Sequence, residues 1–301
     1  MGDIQKMHKL TFSGHDTFHC RHLWLKKGYD FIKKGRKFSD EDAVVELGIG
    51  KNMVTALQYW LKAFDIIDKE NKLTDFAIYL LDDKGKDPFI EDEATLWLLH
   101  YNLVANNFAS TYNLIFNELR KDKIEFTKEN FVAFVTRKAS EIGLGSINKN
   151  TIASDFEVMT KMYLRTEAHA KDKEDTFSGL LTELNLMAEE TRKVEEKQST
   201  TYYNIPIDDK NSIPEELIFY VIIANSKIDT SISLQTIEQE NNHVGNVFAI
   251  SRSGIYNKIE SIVSNPKFKK YGITYSDNAG IRELQIKHKP SKIEVLNHYY
   301  G

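Results

Sequence analysis

A polar stripe between residues 51 and 62 carries the most specific chemistry in this sequence. Lys51, Thr55, Gln58 and Lys62 recur at i, i+4, i+7 and i+11, which at about 100° per residue sets them within about 60° of one another on a helix. Asn52 and Tyr59 lie beside them. Amide side chains pair with adenine edges, while lysines and a helix N-terminus contact phosphates, so the stripe has the chemistry of a helix that reads duplex DNA. Any amphipathic surface helix also shows a polar stripe. A second set, Arg252, Ser253, Tyr256, Asn257 and Lys258, repeats the same residue types near the other end of the chain.

Two other constellations invite chemistry. His15, His19, Cys20 and His22 fall within eight residues, but only His15 and His19 share a helical face, so the spacing is poor for a metal site and no metal is expected. Ser13 and His15 suit a backbone or partner contact, as do Arg21, Lys26, Lys27, Lys267, Lys269 and Lys270. Asp87, Glu91, Asp92, Glu93 and His100 resemble a hydrolytic set, yet the acids read more simply as the start of a helix, where they face the positive end of its dipole. There is no G-x-x-x-x-G-K-[ST], G-x-G-x-x-G or H-E-x-x-H. Nothing names a reaction, and a protein without enzymatic activity or cofactor is expected.

The elements that position these residues follow from hydrophobic spacing. Residues 40–64 predict a helix, a turn around Ile49 between Gly48 and Gly50, and a second helix whose Val54, Leu57, Leu61 and Phe64 form a buried stripe. A small β-wing is expected around Lys69-Glu70-Asn71. Residues 94–119 and 128–142 read as helices of a middle region. Beyond them, 213–224 suits a buried helix started at Pro214, Ser251 a helix N-cap, and Ile255, Ile259 and Ile262 its core face. Ile273–Tyr275 and Ile281–Ile286 alternate around an Asp/Asn/Gly turn, which predicts a hairpin. Residues 166–176 and 189–204 carry charge without hydrophobic period and read as a hinge and a linker.

Composition bounds the rest. The 301 residues exceed what one core usually holds, and three regions are expected: 1–90, 91–205 and 206–301. A lone cysteine fits a reducing, cytoplasmic setting. The longest apolar run, Leu217–Ala224, is far short of a membrane span, and from the first residues no leader or acylation is expected. The net charge is -4, but it is uneven. Residues 91–205 hold 14 basic and 19 acidic side chains, whereas 251–301 hold 9 and 4. Between residues 20 and 37, seven cations face Asp30 alone. Local positive fields at both ends suit oriented contact with nucleic acid.

Phe12-Ser13-Gly14-His15-Asp16-Thr17-Phe18, with Arg21 and Trp24-Leu25-Lys26-Lys27-Gly28, resembles the opening signature of a bacterial family catalogued as domain of unknown function 4007. Leu47–Val54, Leu73–Phe76, Asp87–Asp92 and Thr95–His100 resemble its next blocks, and Ile273–Ser276 with Ala279–Arg282 its closing hairpin. Asp16 stands where Glu is expected, and His19, Cys20 and His22 match none of its motifs. The resemblance implies a companion of sulfurtransferases resembling phosphoadenosine-phosphosulfate (PAPS) reductase, and of cysteine desulfurases, in phage-defence islands. Those include DNA phosphorothioation and BREX-like systems. No established activity comes with it.

Residues and resemblance together predict a mainly α fold with small β-hairpins, an α+β protein. It would have winged helix-turn-helix-like domains at both ends of a helical middle. The expected function is a double-stranded-DNA recognition subunit partnering a PAPS-reductase-like sulfurtransferase. An autonomous winged-helix regulator and an interaction scaffold that binds no DNA are the alternatives.

Overall fold

The computed structural model describes residues 10–165, 178–195, 198–225, 231–278 and 280–301. Helices dominate, and two small three-stranded antiparallel sheets accompany them among the described residues, which makes the fold α+β. The expected hinge at 166–176 lies outside the described residues.

The N-terminal part holds α1 (Trp24–Lys33), α2 (Ala43–Leu47), α3 (Lys51–Ala63) and α4 (Asp75–Leu81). Gly48 ends α2 in the left-handed conformation (φ 61°), which costs little without a Cβ. Val54, Leu57, Leu61 and Phe64 are buried as their spacing predicts. The expected wing is a single antiparallel bridge, Ile67 with Leu73, closed by Asn71 at φ 62°.

Asp92 starts α5 (Glu93–Ala105) by accepting from the Ala94 N–H. Every residue from Ala94 to Val104 is buried, so α5 forms the centre of the molecule and not a surface. The helix expected over 94–119 is broken. Asn106 turns its side chain to the Lys62 and Ala63 carbonyls, Asn107 adopts φ 54°, and the chain restarts as α6 (Ser110–Leu114), a π-helical turn (Ile115–Leu119) and α7 (Arg120–Asp122). Asparagine tolerates the left-handed region and competes for backbone partners, which explains the break. Strand β1 (Glu125–Phe126) precedes α8 (Lys128–Glu141) and α9 (Lys149–Tyr163).

Residues 189–204 are not a linker. They form most of a hairpin, β2 (Ala188–Glu195) against β3 (Gln198–Asn204), with β1 on the other edge of β3. The Thr191 and Thr201 hydroxyls meet across it at 3.0 Å. Charged and hydroxylated side chains on a solvated sheet lack a hydrophobic period, so composition alone resembles a linker.

The C-terminal part runs α10 (Glu215–Ala224), β4 (Ser231–Ser233), α11 (Leu234–Gln239), α12 (Val244–Phe248), α13 (Arg252–Ser264), a 3₁₀ turn (Pro266–Tyr271), β5 (Ile273–Asn278), β6 (Ile281–Ile286) and α14 (Lys292–Tyr300). Pro214 is the residue before α10, and the Ser251 hydroxyl caps α13 at the Gly254 N–H. The predicted hairpin forms, and β4 adds to β6, giving the order β4-β6-β5. No helix among the described residues is long and apolar enough to cross a membrane.

Candidate nucleic-acid interface

On α3 the core takes eight of thirteen positions, so the remaining ones alone reach solvent. Lys51, Asn52 and Thr55 are exposed, and Gln58 and Lys62 are half-buried. These are the residues of the sequence-derived stripe. Gly50 precedes the helix without a side-chain cap, which leaves the first N–H groups of α3 open beside Lys51 and Asn52. Neither Lys51 nor Lys62 forms an ion pair among the described residues. Gln58 Nε2 donates to Asn71 Oδ1 at 2.9 Å, which ties the far end of the stripe to the turn after α3.

Tyr59 does not belong to this face. It is 7% exposed, with its ring edge-on to His15 at 5.2 Å and to Trp60 at 5.1 Å, and near Phe108 at 5.1 Å. Its hydroxyl has no hydrogen-bond partner among the described residues, and burial pushes its pKa up. Tyr59 sits about 80° from Lys51 around α3, at the border of the stripe, and the loop around His15 covers that border.

The loop is the Phe12–Phe18 motif. Ser13, Gly14 and Asp16 have φ of 70°, 99° and 50°. The Ser13 N–H donates to Asp155 Oδ1 and Oδ2 at 2.9 and 3.1 Å, and His15 Nε2 lies 3.4 Å from Asp155 Oδ1. The His15 ring stacks on Trp60 at 5.4 Å and 9°. A Cβ on Gly14 would stand 2.8 Å from the Tyr59 ring. The motif therefore fastens α3 to α9, with His15 buried and only the side chains of Ser13 and its neighbours at the surface. Asp155, 142 residues away, carried no signal in the sequence.

The cations of residues 20–37 are largely occupied. Lys26 is buried and donates to Asp30 (2.8 Å), Asp83 (3.1 Å) and the Leu81 carbonyl (3.1 Å), so it is a structural ion and not a surface contact. Lys27 donates to the Leu47 carbonyl, and Arg21 stacks its guanidinium on Trp24 at 5.5 Å. Lys33 pairs with Asp82 and Asp83; Arg36 pairs with Asp40, Asp42 and Glu46. Lys33, then the Lys84 N–H and Tyr29, hold the Asp82 carboxyl down at about 2.

The second face is more acidic than its sequence suggests. On α13, Arg252, Ser253, Tyr256 and Asn257 are exposed. The Ser253 hydroxyl donates to Asp209, however, Arg252 reaches Glu238 at 3.7 Å, and Glu260 one turn on raises the pKa of the Tyr256 hydroxyl. Lys258 turns inward to the Asn211 and Ile213 carbonyls, and burial lowers its pKa; it anchors α13 and leaves the contact set. Lys267 reaches Glu216 and the His298 carbonyl, Lys270 lies over the Tyr271 ring at 4.9 Å, and Lys269 is exposed.

The acids near residue 90 serve as caps. Asp87 accepts from the Glu91 and Asp92 N–H groups, and Glu93 accepts from Trp97 Nε1. His100 lies inside the core. No three His, Cys, Asp or Glu side chains among the described residues converge as a metal-holding group. Cys20 is fully buried, and burial raises its thiol pKa.

A family model described as "Protein of unknown function (DUF4007)" matches residues 12–300. The chain belongs to the DUF4007 family. The match runs from the His15 loop through α14, so both polar faces lie inside the DUF4007 unit. Two solved structures resemble this DUF4007 protein over 97% of its length and 88% of theirs. They are the "SspB crystal structure" at 27% identity and the "Magnesium ion-bound SspB crystal structure" at 26%, each with a TM-score of 0.82. No curated protein matches the chain.

Proposed function

We propose that this DUF4007 protein is the duplex-DNA recognition subunit of a bacterial DNA-modification or anti-phage defence system. It would bring a PAPS-reductase-like sulfurtransferase, and with it a cysteine desulfurase, to DNA in the cytoplasm. The observation that carries the reading is the exposure of Lys51, Asn52 and Thr55, with Gln58 and Lys62 half-open, on a helix otherwise buried. A glycine turn and an uncapped N-terminus present that face, as in helix-turn-helix contact with a major groove. The C-terminal order α10-β4-α11-α12-α13-β5-β6, with strands arranged β4-β6-β5, supports a winged-helix reading there. In the N-terminal part the bridge Ile67–Leu73 stands as a minimal wing.

The test is Lys51→Ala combined with Lys62→Ala. Duplex affinity falls, and the slope of log K against log salt shrinks in magnitude by roughly 2, about one per lost phosphate contact. Unchanged affinity and slope in the folded variant would sink the assignment. Protected half-sites one helical turn apart would instead mark an autonomous regulator. Co-purification with the sulfurtransferase but no retention on DNA at low salt would mark a scaffold.

A further inference from the structure

A groove of about 900 Å³ opens beside α3, between the end of α1, the loop after it, the turn at residues 70–73 and α4. Ile32, Phe38, Leu73 and the exposed Ile78 supply apolar lining. Phe38 is half-buried and leans on Phe31 at 5.3 Å, leaving part of its ring toward the groove. The Gln58–Asn71 amide pair stands at the wall. Four cations and two carboxylates line the rim. Lys33 and Arg36 are held by acids, while Lys37 and Lys72 are exposed and form no side-chain ion pair among the described residues.

An aromatic ring, two amides able to donate and accept, and two open ammonium groups match one ligand chemistry, a nucleotide. The ring offers a stacking face, the amides a base edge and the lysines a phosphate. The volume falls within the range of small-ligand sites. Gln58 belongs both to this wall and to the polar stripe of α3, so a groove occupant and a duplex on α3 would be contiguous.

We propose that the groove receives a single unstacked nucleotide of the DNA bound on α3. This rests on the DNA-recognition reading above and specifies what that DNA does there. Extruding a base from a paired stack costs a few kcal/mol and least where the base is unpaired, so the groove favours duplexes carrying one unpaired base.

The experiment compares two duplexes of one sequence, fully paired and with one unpaired adenine, by fluorescence anisotropy. Wild-type protein binds the second roughly tenfold more tightly, the scale of one base–aromatic stack. Phe38→Leu, which keeps an apolar side chain but removes the ring, and separately Lys72→Gln, at an exposed position, each cut that advantage to about threefold or less. Paired-duplex affinity in Phe38→Leu stays within about twofold. Equal affinity for the two duplexes, with paired binding still weakened by Lys51→Ala and Lys62→Ala, overturns the groove and leaves the recognition reading standing. An advantage that survives in both groove variants also overturns it. Absence of binding to either duplex overturns both.

Discussion

His100 sits at the centre of the molecule with no exposed surface, between Tyr163 and the Val247 carbonyl at 2.8 Å each. The carbonyl can only accept, so Nε2 carries the proton and Nδ1 accepts from the Tyr163 hydroxyl. Burial, with Arg120 adding to it, lowers the imidazole pKa to about 4 against the Val247 bond. An unfolded histidine titrates near 6.5. Between those values the unfolded chain binds the extra proton, so stability is complete above about pH 6.5 and falls as pH drops toward 4, by roughly 3 kcal/mol from this residue. His243 and His298 are depressed in the same direction, mainly by burial. Urea unfolding at pH 7.5, 6 and 5 therefore shows a slope that His100→Gln reduces; parallel slopes for the two proteins would refute this role. At this scale the sequence was readable where partners are local and opaque where they are distant. Ser251 and Asp92 cap helices a few residues on, but Tyr59, Lys26 and Lys258 were misplaced because loops and carbonyls from elsewhere cover them.

Among the elements, α14 links parts far apart in the chain. The Tyr300 hydroxyl meets Thr95 at 2.7 Å, Tyr299 donates to Asp92, and Tyr79 donates to Asn297. Val295 and Leu296 are fully buried, and the helix packs on α10. A capping box of Ser291 and Glu294 starts it. Leu296→Ala should cost about 2–5 kcal/mol, the range for a buried leucine truncation; a lower urea midpoint with unchanged m-value would show it, and an unshifted midpoint would mean the helix is not integral to the fold. Helix α3 and the hairpin β5–β6 were legible from period and turn chemistry. The interruption at Asn106 and the hairpin β2–β3 were not, since one depends on Asn106 finding carbonyls of α3 and the other on a hairpin whose mostly charged and hydroxylated side chains show no hydrophobic period.

Across the whole molecule, side chains from the three sequence regions interlock. Asp155 holds the Ser13–His15 loop, His100 meets Val247, and Asn242 exchanges hydrogen bonds with Asn117 and accepts one from Asn113. Arg120 donates to the Gly245 and Asn246 carbonyls. These contacts set the two polar faces in one framework. They also redistribute charge: the cations of residues 20–37 meet acids at 40–46 and 82–83, and those near 252 and 267 meet Glu238 and Glu216. The positive field that remains is narrower than segment counts imply. On the proposed DNA-recognition reading, this narrower field leaves α3 to supply a few oriented phosphate contacts, which the salt-slope experiment measures.

The sequence by itself determined the α+β class, the glycine turn before α3, the closing hairpin and the DUF4007 motifs, because each depends on period, cap or turn chemistry within a few residues. Only the tertiary structure decided which polar side chains are available. Lys51, Asn52 and Thr55 stay open, while Tyr59, Lys26 and Lys258 are enclosed, because exposure and ion pairing are set by groups that folding brings from tens of residues away.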